Sequence, residues 1–286
     1  MTVAAESAAS AHHPPRYHRI LLTGAGGRLG TQLRAALAPL ATHLRLASRK
    51  PISDLLAHEE NVLFDLADEA ATLAATRDVD AIVHFGGMAL EAPWAEILDA
   101  NIRGSYHIYE GARRHGVKRV VYASSVHAIG YHRLDAHIDT RAPVRPDSLY
   151  GVSKCFVEAL ASLYWDKFGL ESVCLRIFSS FPEPADRRML WSYLSFADCA
   201  RLVTASLSAP HVGHTISFGL SDNKVKAVDN RLAAHLGYIA EDSSEPFRAQ
   251  VEAQHPPADP HAQATRCVGG WFVELPHPDD AVKNKK

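Results

Sequence analysis

The stretch LLTGAGGRLG sets Gly24, Gly27 and Gly30 three residues apart, between the strand-like run RILLTG (19–24) and the helix-like run RLGTQLRAALAPL (28–40). A turn without Cβ atoms brings backbone N–H groups and a helix N-terminus close to whatever lies against it, and a pyrophosphate fits that place best. Arg28 and Leu29, inside the spacing, share the cradle. Three glycines alone say little. Here they follow a strand, precede a helix and head a longer alternation, which is the setting that gives them meaning.

That alternation continues along the chain. LRLAS (44–48) and NVLF (61–64) read as strands, and a helix is expected near Glu69 to Thr76. AIVHFGG (81–87) is a fourth strand, ILDANIRGSYHIYEGARRHG (97–116) a helix closed by a glycine, RVVYASS (119–125) a fifth strand and SVCLRIFSS (172–180) a sixth. Apolar strands alternating with amphipathic helices predict an α/β fold: a Rossmann-type, doubly wound parallel sheet covered on both faces. Residues 18–180 are expected to form the dinucleotide-binding domain, and 181–275 a smaller C-terminal substrate-side region partly interleaved with the sheet. Flexible tails are expected over 1–17 and 276–286.

Composition removes other classes. Lys and Arg total 30 against 32 for Asp and Glu, so no charge excess points to nucleic acid or to a membrane surface. No apolar run approaches the ~18 residues of a membrane span. The opening MTVAAESAASAHHPPR lacks the basic and apolar regions of a secretion signal. Cys155, Cys174, Cys199 and Cys267 have neither paired nor metal-like spacing, which suits a reducing cytoplasm and predicts no metal site.

SLYGVSKCF (148–156) places Tyr150 four residues before Lys154, in a helix that continues through VEALASLYWDKF to Gly169. Residues four apart share a helix face, so hydroxyl and ammonium converge. A free tyrosine, with a pKa of ~10, is a poor base at neutral pH, and a neighbouring ammonium favours the phenolate. Ser125, at the end of the fifth strand, stands ready to hydrogen-bond the same substrate oxygen. Around the glycine turn, Asp65 and Leu66 after the third strand are candidates to reach an adenine. Gly86 and Gly87, after the fourth, let the chain pass close to a bound cofactor.

The Ser…Tyr-x-x-x-Lys arrangement with its N-terminal glycine turn resembles the extended short-chain dehydrogenase/reductase superfamily over residues 18 to about 275, and Asn101 in NIRGS matches that superfamily's usual cofactor-side Asn. VYASSVHAIGY, RPDSLYGVSKCF, PEPADRRML and GGWFV narrow the resemblance to the uronate dehydrogenases. It implies oxidation of a hexuronate at its anomeric carbon, with Arg188 on the substrate carboxylate and His127 and Ser179 on sugar hydroxyls. An arginine fork matches a carboxylate bidentately. Val126, Ala89 and Ala227-Val228 depart from that pattern, where an Asn, a Ser and aromatic residues are usual, and imply a more apolar pocket. Another sugar or sugar acid, a more apolar carbonyl compound, or a dinucleotide-sensing regulator are the competing readings. The partner is thus a small molecule, and assembly into at least a homodimer is expected. The second strand ends on Ser48-Arg49-Lys50, without the acidic residue that holds the adenine ribose in NAD-binding proteins, so NADP is favoured over NAD.

Overall fold

Alternation along the strands is what divides the interior into two cores. In the computed structural model, which describes residues 15–283, seven parallel strands carry that alternation. They are β1 (Tyr17–Thr23), β2 (Ala41–Ser48), β3 (Glu59–Leu63), β4 (Ala81–His84), β5 (Arg119–Ser125), β6 (Glu171–Ile177) and β7 (His214–Gly219), in the spatial order β7-β6-β5-β4-β1-β2-β3. Ile20, Leu22, Val83, Val121, Val173 and Leu175 face one side of the sheet. There they meet α1 (Arg28–Leu37) and α5 (Phe196–Ser208) through Leu33, Leu37, Leu202 and Val203. Leu21, Ile82, Val120, Tyr122 and Cys174 face the other side, covered by α3 (Gly104–Arg114) and α4 (Leu149–Phe168). A short α2 (Glu69–Ala75), capped by the Asp68 carboxylate, completes the β3–β4 crossover.

The strand order reverses between β1 and β4, and register brings their ends level, with Thr23 opposite His84 on one side and Ala47 on the other. Chains leaving these two strands diverge to opposite faces. They open the crevice in which such folds bind ligands.

Helix α4 is bounded as its sequence demands. The Ser148 hydroxyl accepts from the Gly151 N–H at 2.9 Å, and Gly169 ends the helix in the left-handed region. The long helix expected over 97–116 is instead two pieces. Leu98–Arg103 is wound as π-helix before α3 begins, which places Asn101 in the loosened turn. The segment after 181 adds α5 and the seventh strand to the main sheet, and Ser179–Ser180 pairs with Tyr193–Leu194 in a separate two-stranded ladder. HTISFG was not legible as a strand, being short and made mostly of His, Thr, Ser and Gly.

Of the expected N-terminal tail, residues 1–14 lie outside the described residues, and Tyr17 already belongs to β1, its hydroxyl donating to the Leu207 carbonyl at 2.8 Å. Of the C-terminal one, Pro278–Lys283 forms a short helix and residues 284–286 lie outside the described residues.

Beneath α4, Glu158 receives Arg176 Nε at 2.9 Å, Arg176 Nη2 at 2.8 Å and the Ser124 hydroxyl at 2.6 Å. Both charges are buried, so removing one strands the other. Glu158→Ala should lower stability by about 3–5 kcal/mol. Denaturant unfolding of Glu158→Ala and of the double variant Glu158→Leu/Arg176→Met checks this, with the apolar pair recovering much of the loss. A Glu158→Ala midpoint equal to wild type would show the pair to be inert.

Candidate active site

The glycine turn is a backbone-to-backbone contact. Gly24 sits at φ +70°, and a Cβ there would lie 2.6 Å from the Phe85 carbonyl oxygen at the end of β4. A Cβ on Gly30 would fall 2.1 Å from the Gly24 carbonyl oxygen, so no side chain fits where α1 starts against the turn. Gly27 N–H closes the turn on Gly24 O at 2.9 Å. Arg28 lies exposed at the helix start, its guanidinium 4.2 Å over the Phe181 ring, and Leu29 packs inward against the core. The result is an uncluttered cradle at a helix N-terminus beside the crevice, which fits a dinucleotide pyrophosphate.

Behind it, Thr23 Oγ1 contacts His84 Nδ1 at 2.7 Å, His84 Nε2 contacts Ser105 at 3.0 Å, and Gly86 N–H donates to Thr23 Oγ1 at 3.0 Å. Burial drives the His84 pKa down to about 3, so this brace stays neutral. Gly86 and Gly87 follow as an open turn; a Cβ on Gly86 would meet Leu66 Cδ1 at 2.9 Å, so Leu66 packs directly beneath it. Asp65 is exposed and turns its carboxylate onto the Ala67 N–H at 2.9 Å.

Asn101 is not offered to a cofactor. Its amide donates to Met88 O at 3.2 Å and to Ser153 Oγ at 3.0 Å, and its oxygen accepts from Met88 N–H at 2.7 Å. Both donors are spent. Asn101 ties the loop after Gly87 to α4 and so fixes that helix against the crevice.

Tyr150 and Lys154 do share the buried face of α4, beside Ser125 at the end of β5. The helix start is held by Glu91, which accepts from Leu149 N–H at 3.0 Å and Tyr150 N–H at 2.7 Å. The electrostatics differ from the sequence expectation. Burial pushes the Tyr150 phenol up to about 12, with the Ser125 hydroxyl pulling against it. Lys154 gives Tyr150 little help, for burial pulls the ammonium itself down to about 7, against the carboxylate of Glu158. Its Nζ donates to Ala123 O at 2.7 Å and stands 4.8 Å from the Tyr122 ring centroid and 5.2 Å from that of Tyr150.

On the other side stand the residues expected to read a substrate. Arg188 Nη1 donates to Ser179 Oγ at 2.8 Å and Nη2 to Val268 O at 2.6 Å, while Nε has no partner. Among the described residues no carboxylate lies within salt-bridge distance of it. Burial drops its pKa to about 10, with Asp186 and Asp147 resisting. His127 donates to, or shares a proton with, Asp147 at 2.8 Å, and its ring is stacked on Phe272 with centroids 3.7 Å apart. Sequence reading missed Asp147, Glu91 and Phe272; RPDSLYG and GGWFV contained two of them, but nothing in the spacing assigned a role.

Two further expectations change. Val126 is buried with Ile129, Phe178, Phe218 and Val268, so its departure from the family pattern adds to an apolar cluster under the site. The Ser48 hydroxyl donates to Lys50 O at 2.6 Å and accepts from Asn61 at 3.0 Å, so its one proton is already used; Arg49 is exposed.

A glycine-cradled switch point with a Ser/Tyr/Lys group beside it defines a dinucleotide-dependent member of the Rossmann class, and residues 20–195 match the NAD dependent epimerase/dehydratase family, to which this chain belongs. Its similarities are specific. It is 52% identical to the uronate dehydrogenase of Pseudomonas putida over 91% of this chain and 97% of that protein. It superimposes on the crystal structure of a glucuronic acid dehydrogenase from Chromohalobacter salexigens with a TM-score of 0.90 and 46% identity, over 92% and 99% of the two chains. A Y136A mutant of the uronate dehydrogenase from Agrobacterium tumefaciens, complexed with NAD, matches with a TM-score of 0.87 and 44% identity, over 90% and 97%.

Burying Lys154 opposes folding wherever the unfolded lysine would hold a proton. With a folded pKa of about 7 against 10.5 unfolded, the penalty is full below about pH 7, shrinks as pH rises and is gone above about 10.5. Lys154→Met should therefore melt higher than wild type near neutrality, and the gap should close towards pH 10. Thermal melts across that range check it; a constant or widening gap would contradict the assignment.

Proposed function

We propose that this protein oxidises the anomeric hydroxyl of a hexuronic acid to the lactone, with a nicotinamide dinucleotide as oxidant. One observation carries the substrate class. Arg188 is a largely enclosed guanidinium with no carboxylate partner among the described residues, beside the Ser/Tyr/Lys group, and an enclosed charge left without a counter-charge is a functional signal. A substrate carboxylate supplies the missing counter-charge. The named activity of the relatives above supports the same reading.

The bound dinucleotide supplies the acceptor for the hydride that leaves the anomeric carbon. Gly24, Gly27 and Gly30, with the start of α1, hold its pyrophosphate, and Gly86 and Gly87 leave room beside β4. Ser125 donates to the reacting oxygen, and Tyr150, once its own proton has left, takes up that oxygen's proton as the phenolate while the carbonyl forms. Lys154, poised near neutrality, binds the ribose hydroxyls and adds positive charge beside the phenol when protonated. Arg188 fixes the carboxylate end, with Ser179 and His127 on sugar hydroxyls. Much of this recognition comes from 181–275, the proposed substrate-side region.

Of the two nicotinamide cofactors, NAD is the better-supported one. The Ser48 proton is engaged, and the solved Agrobacterium relative holds NAD. The NADP preference expected from the missing carboxylate lacks such support. β2 nevertheless ends on Ser48, followed by Arg49 and Lys50, so that strand end itself carries no carboxylate to repel a 2′-phosphate. NADP should serve as a poorer substitute. No described helix is long and apolar enough to cross a membrane, and the four free cysteines suit the cytoplasm.

Tyr150→Phe should bind cofactor and lose roughly 100- to 10,000-fold in turnover. Arg188→Ala should lose about 10- to 150-fold in kcat/KM on hexuronates and little on neutral aldoses, the worth of a charge-assisted contact. Absorbance assays over a panel of sugars and sugar acids, with both cofactors, give all of these values. A panel with no hexuronate turnover would end the reading, and NADP outperforming NAD would reverse the cofactor assignment.

Assembly is proposed from surface chemistry. Val152, Phe156 and Leu163 form an exposed apolar stripe along α4, and Tyr106 is exposed on neighbouring α3, a face suited to two-fold pairing of helices. Light scattering at micromolar concentration should return at least twice the 31.2 kDa chain mass, and Phe156→Glu should halve it. A wild type of single-chain mass refutes the pairing.

A further inference from the structure

We propose that Asp147 is a positioning residue that holds His127 in the tautomer whose Nε2 accepts a hydrogen bond from a substrate hydroxyl, and that this pair selects sugars carrying that hydroxyl. The inference deepens the substrate reading above and rests on it for the identity of the sugar acid.

A neutral imidazole has one donor and one acceptor nitrogen, and the partner of one fixes the role of the other. Asp147 Oδ2 lies 2.8 Å from His127 Nδ1, and its Oδ1 already accepts the Ser148 hydroxyl at 2.9 Å. An ionised carboxylate only accepts, so Nδ1 carries the proton and Nε2 keeps its lone pair. Nε2 makes no hydrogen bond to any described residue. Burial, which lowers the His127 pKa against the pull of Asp147, keeps the ring neutral.

The ring cannot turn to exchange its nitrogens. Phe272 stacks on one face at 3.7 Å with planes 25° apart, and the Tyr150 ring meets it edgewise at 5.8 Å. The carboxylate is equally confined. A Cβ on Gly130 would lie 1.8 Å from Asp147 Oδ2, and one on Gly269 would lie 2.0 Å from it. The Asp147 side chain is wholly enclosed between those two glycine backbones, which are themselves joined by Gly269 N–H to Gly130 O at 2.9 Å. A histidine serving only to brace this loop would be satisfied through Nδ1. Here the second nitrogen is left free beside the proposed base, where a bound sugar must lie.

Nitrogen NMR of histidine-labelled wild type, with His127 assigned by His127→Gln, tests the tautomer without any substrate. A protonated Nδ1 and bare Nε2 at neutral pH are expected, and Asp147→Asn should shift the ring towards protonated Nε2, since an amide can present N–H to Nδ1. A wild-type ring protonated at Nε2 would overturn the proposal, whatever the enzyme oxidises.

The second arm is kinetic, using hexuronates and a series of monodeoxy analogues. Asp147→Asn should lose about 10- to 100-fold in kcat/KM on the full sugar acid, with the KM for NAD unchanged. One deoxy analogue should be poor for wild type and no poorer for the variant. Equal sensitivity of both enzymes to every analogue would refute selection by this pair. If Asp147→Asn does not fold, His127→Gln on the same series gives the same comparison. If no hexuronate reacts at all, the substrate reading fails while the NMR result still decides the tautomer.

Discussion

Everything in the site hangs on one close approach, the passage of the β1 turn against the end of β4. Gly24 there lies so near Phe85 that a Cβ would overlap the Phe85 carbonyl, and Gly30 lies as close to Gly24. Such contact is possible only between bare backbones. It sets the width of the crevice and the direction in which α1 points its N-terminus. The Thr23–His84–Ser105 brace then carries the same constraint across the sheet to α3. Because His84 stays neutral throughout the physiological range, the floor of the crevice does not change with pH, although the groups above it do.

Those groups are costly to fold, and the protein treats its buried charges in two ways. Glu158 and Arg176 satisfy one another under α4, with Ser124 using a further lone pair, so their burial stabilises a single arrangement of helix and strand. Lys154 and Tyr150 are buried, and Arg188 is largely enclosed, with no carboxylate in direct contact with their polar side-chain atoms among the described residues. Each has its pKa moved against its charged form, Tyr150 to about 12, Lys154 to about 7 and Arg188 to about 10. Uncompensated burial is how a site prepares for a ligand that brings the missing charge, since the interaction forms in a dry, low-dielectric setting. Glu158 joins the two regimes. One turn beyond Lys154, it is the neighbouring charge that most supports the ammonium against desolvation.

The sequence made local relations legible and left distant ones dark. Glycine spacing, strand alternation and the Tyr150–Lys154 interval are all set within a few residues, and the structure has all of them. Asn101 was recognised by position, but that its amide is spent on Met88 and Ser153 depends on a π-turn and on a helix some fifty residues away. The helpful ammonium expected beside Tyr150 is local in sequence, yet its state depends on burial by β5, β6 and Tyr122, which no four-residue interval encodes. Strand β7 escaped because its place at the edge of the sheet comes from pairing with β6, and its own residues are mostly small and polar. Nothing in the sequence singled out Asp147 or Glu91. Only the fold turns one onto His127 and the other onto the N-terminus of α4.

The last part of the chain shows what that means for recognition. Val268 O receives Arg188, Gly269 makes room for Asp147, Gly270 at φ +65° passes where a Cβ would strike Arg188 Nε at 2.5 Å, and Phe272 lies on His127. Within five residues the segment touches every side chain proposed to read the substrate except Ser179, which it reaches through Arg188. The residues proposed for the reaction chemistry lie on β5 and α4 and end by residue 154, more than a hundred residues earlier. The two halves are therefore physically separable. In the proposed reaction, hydride and proton transfer would depend on the switch point and α4, whereas recognition of the sugar acid would rest on side chains held by this C-terminal segment. A fold organised in this way can change its substrate through that segment while its cradle and its base stay as they are.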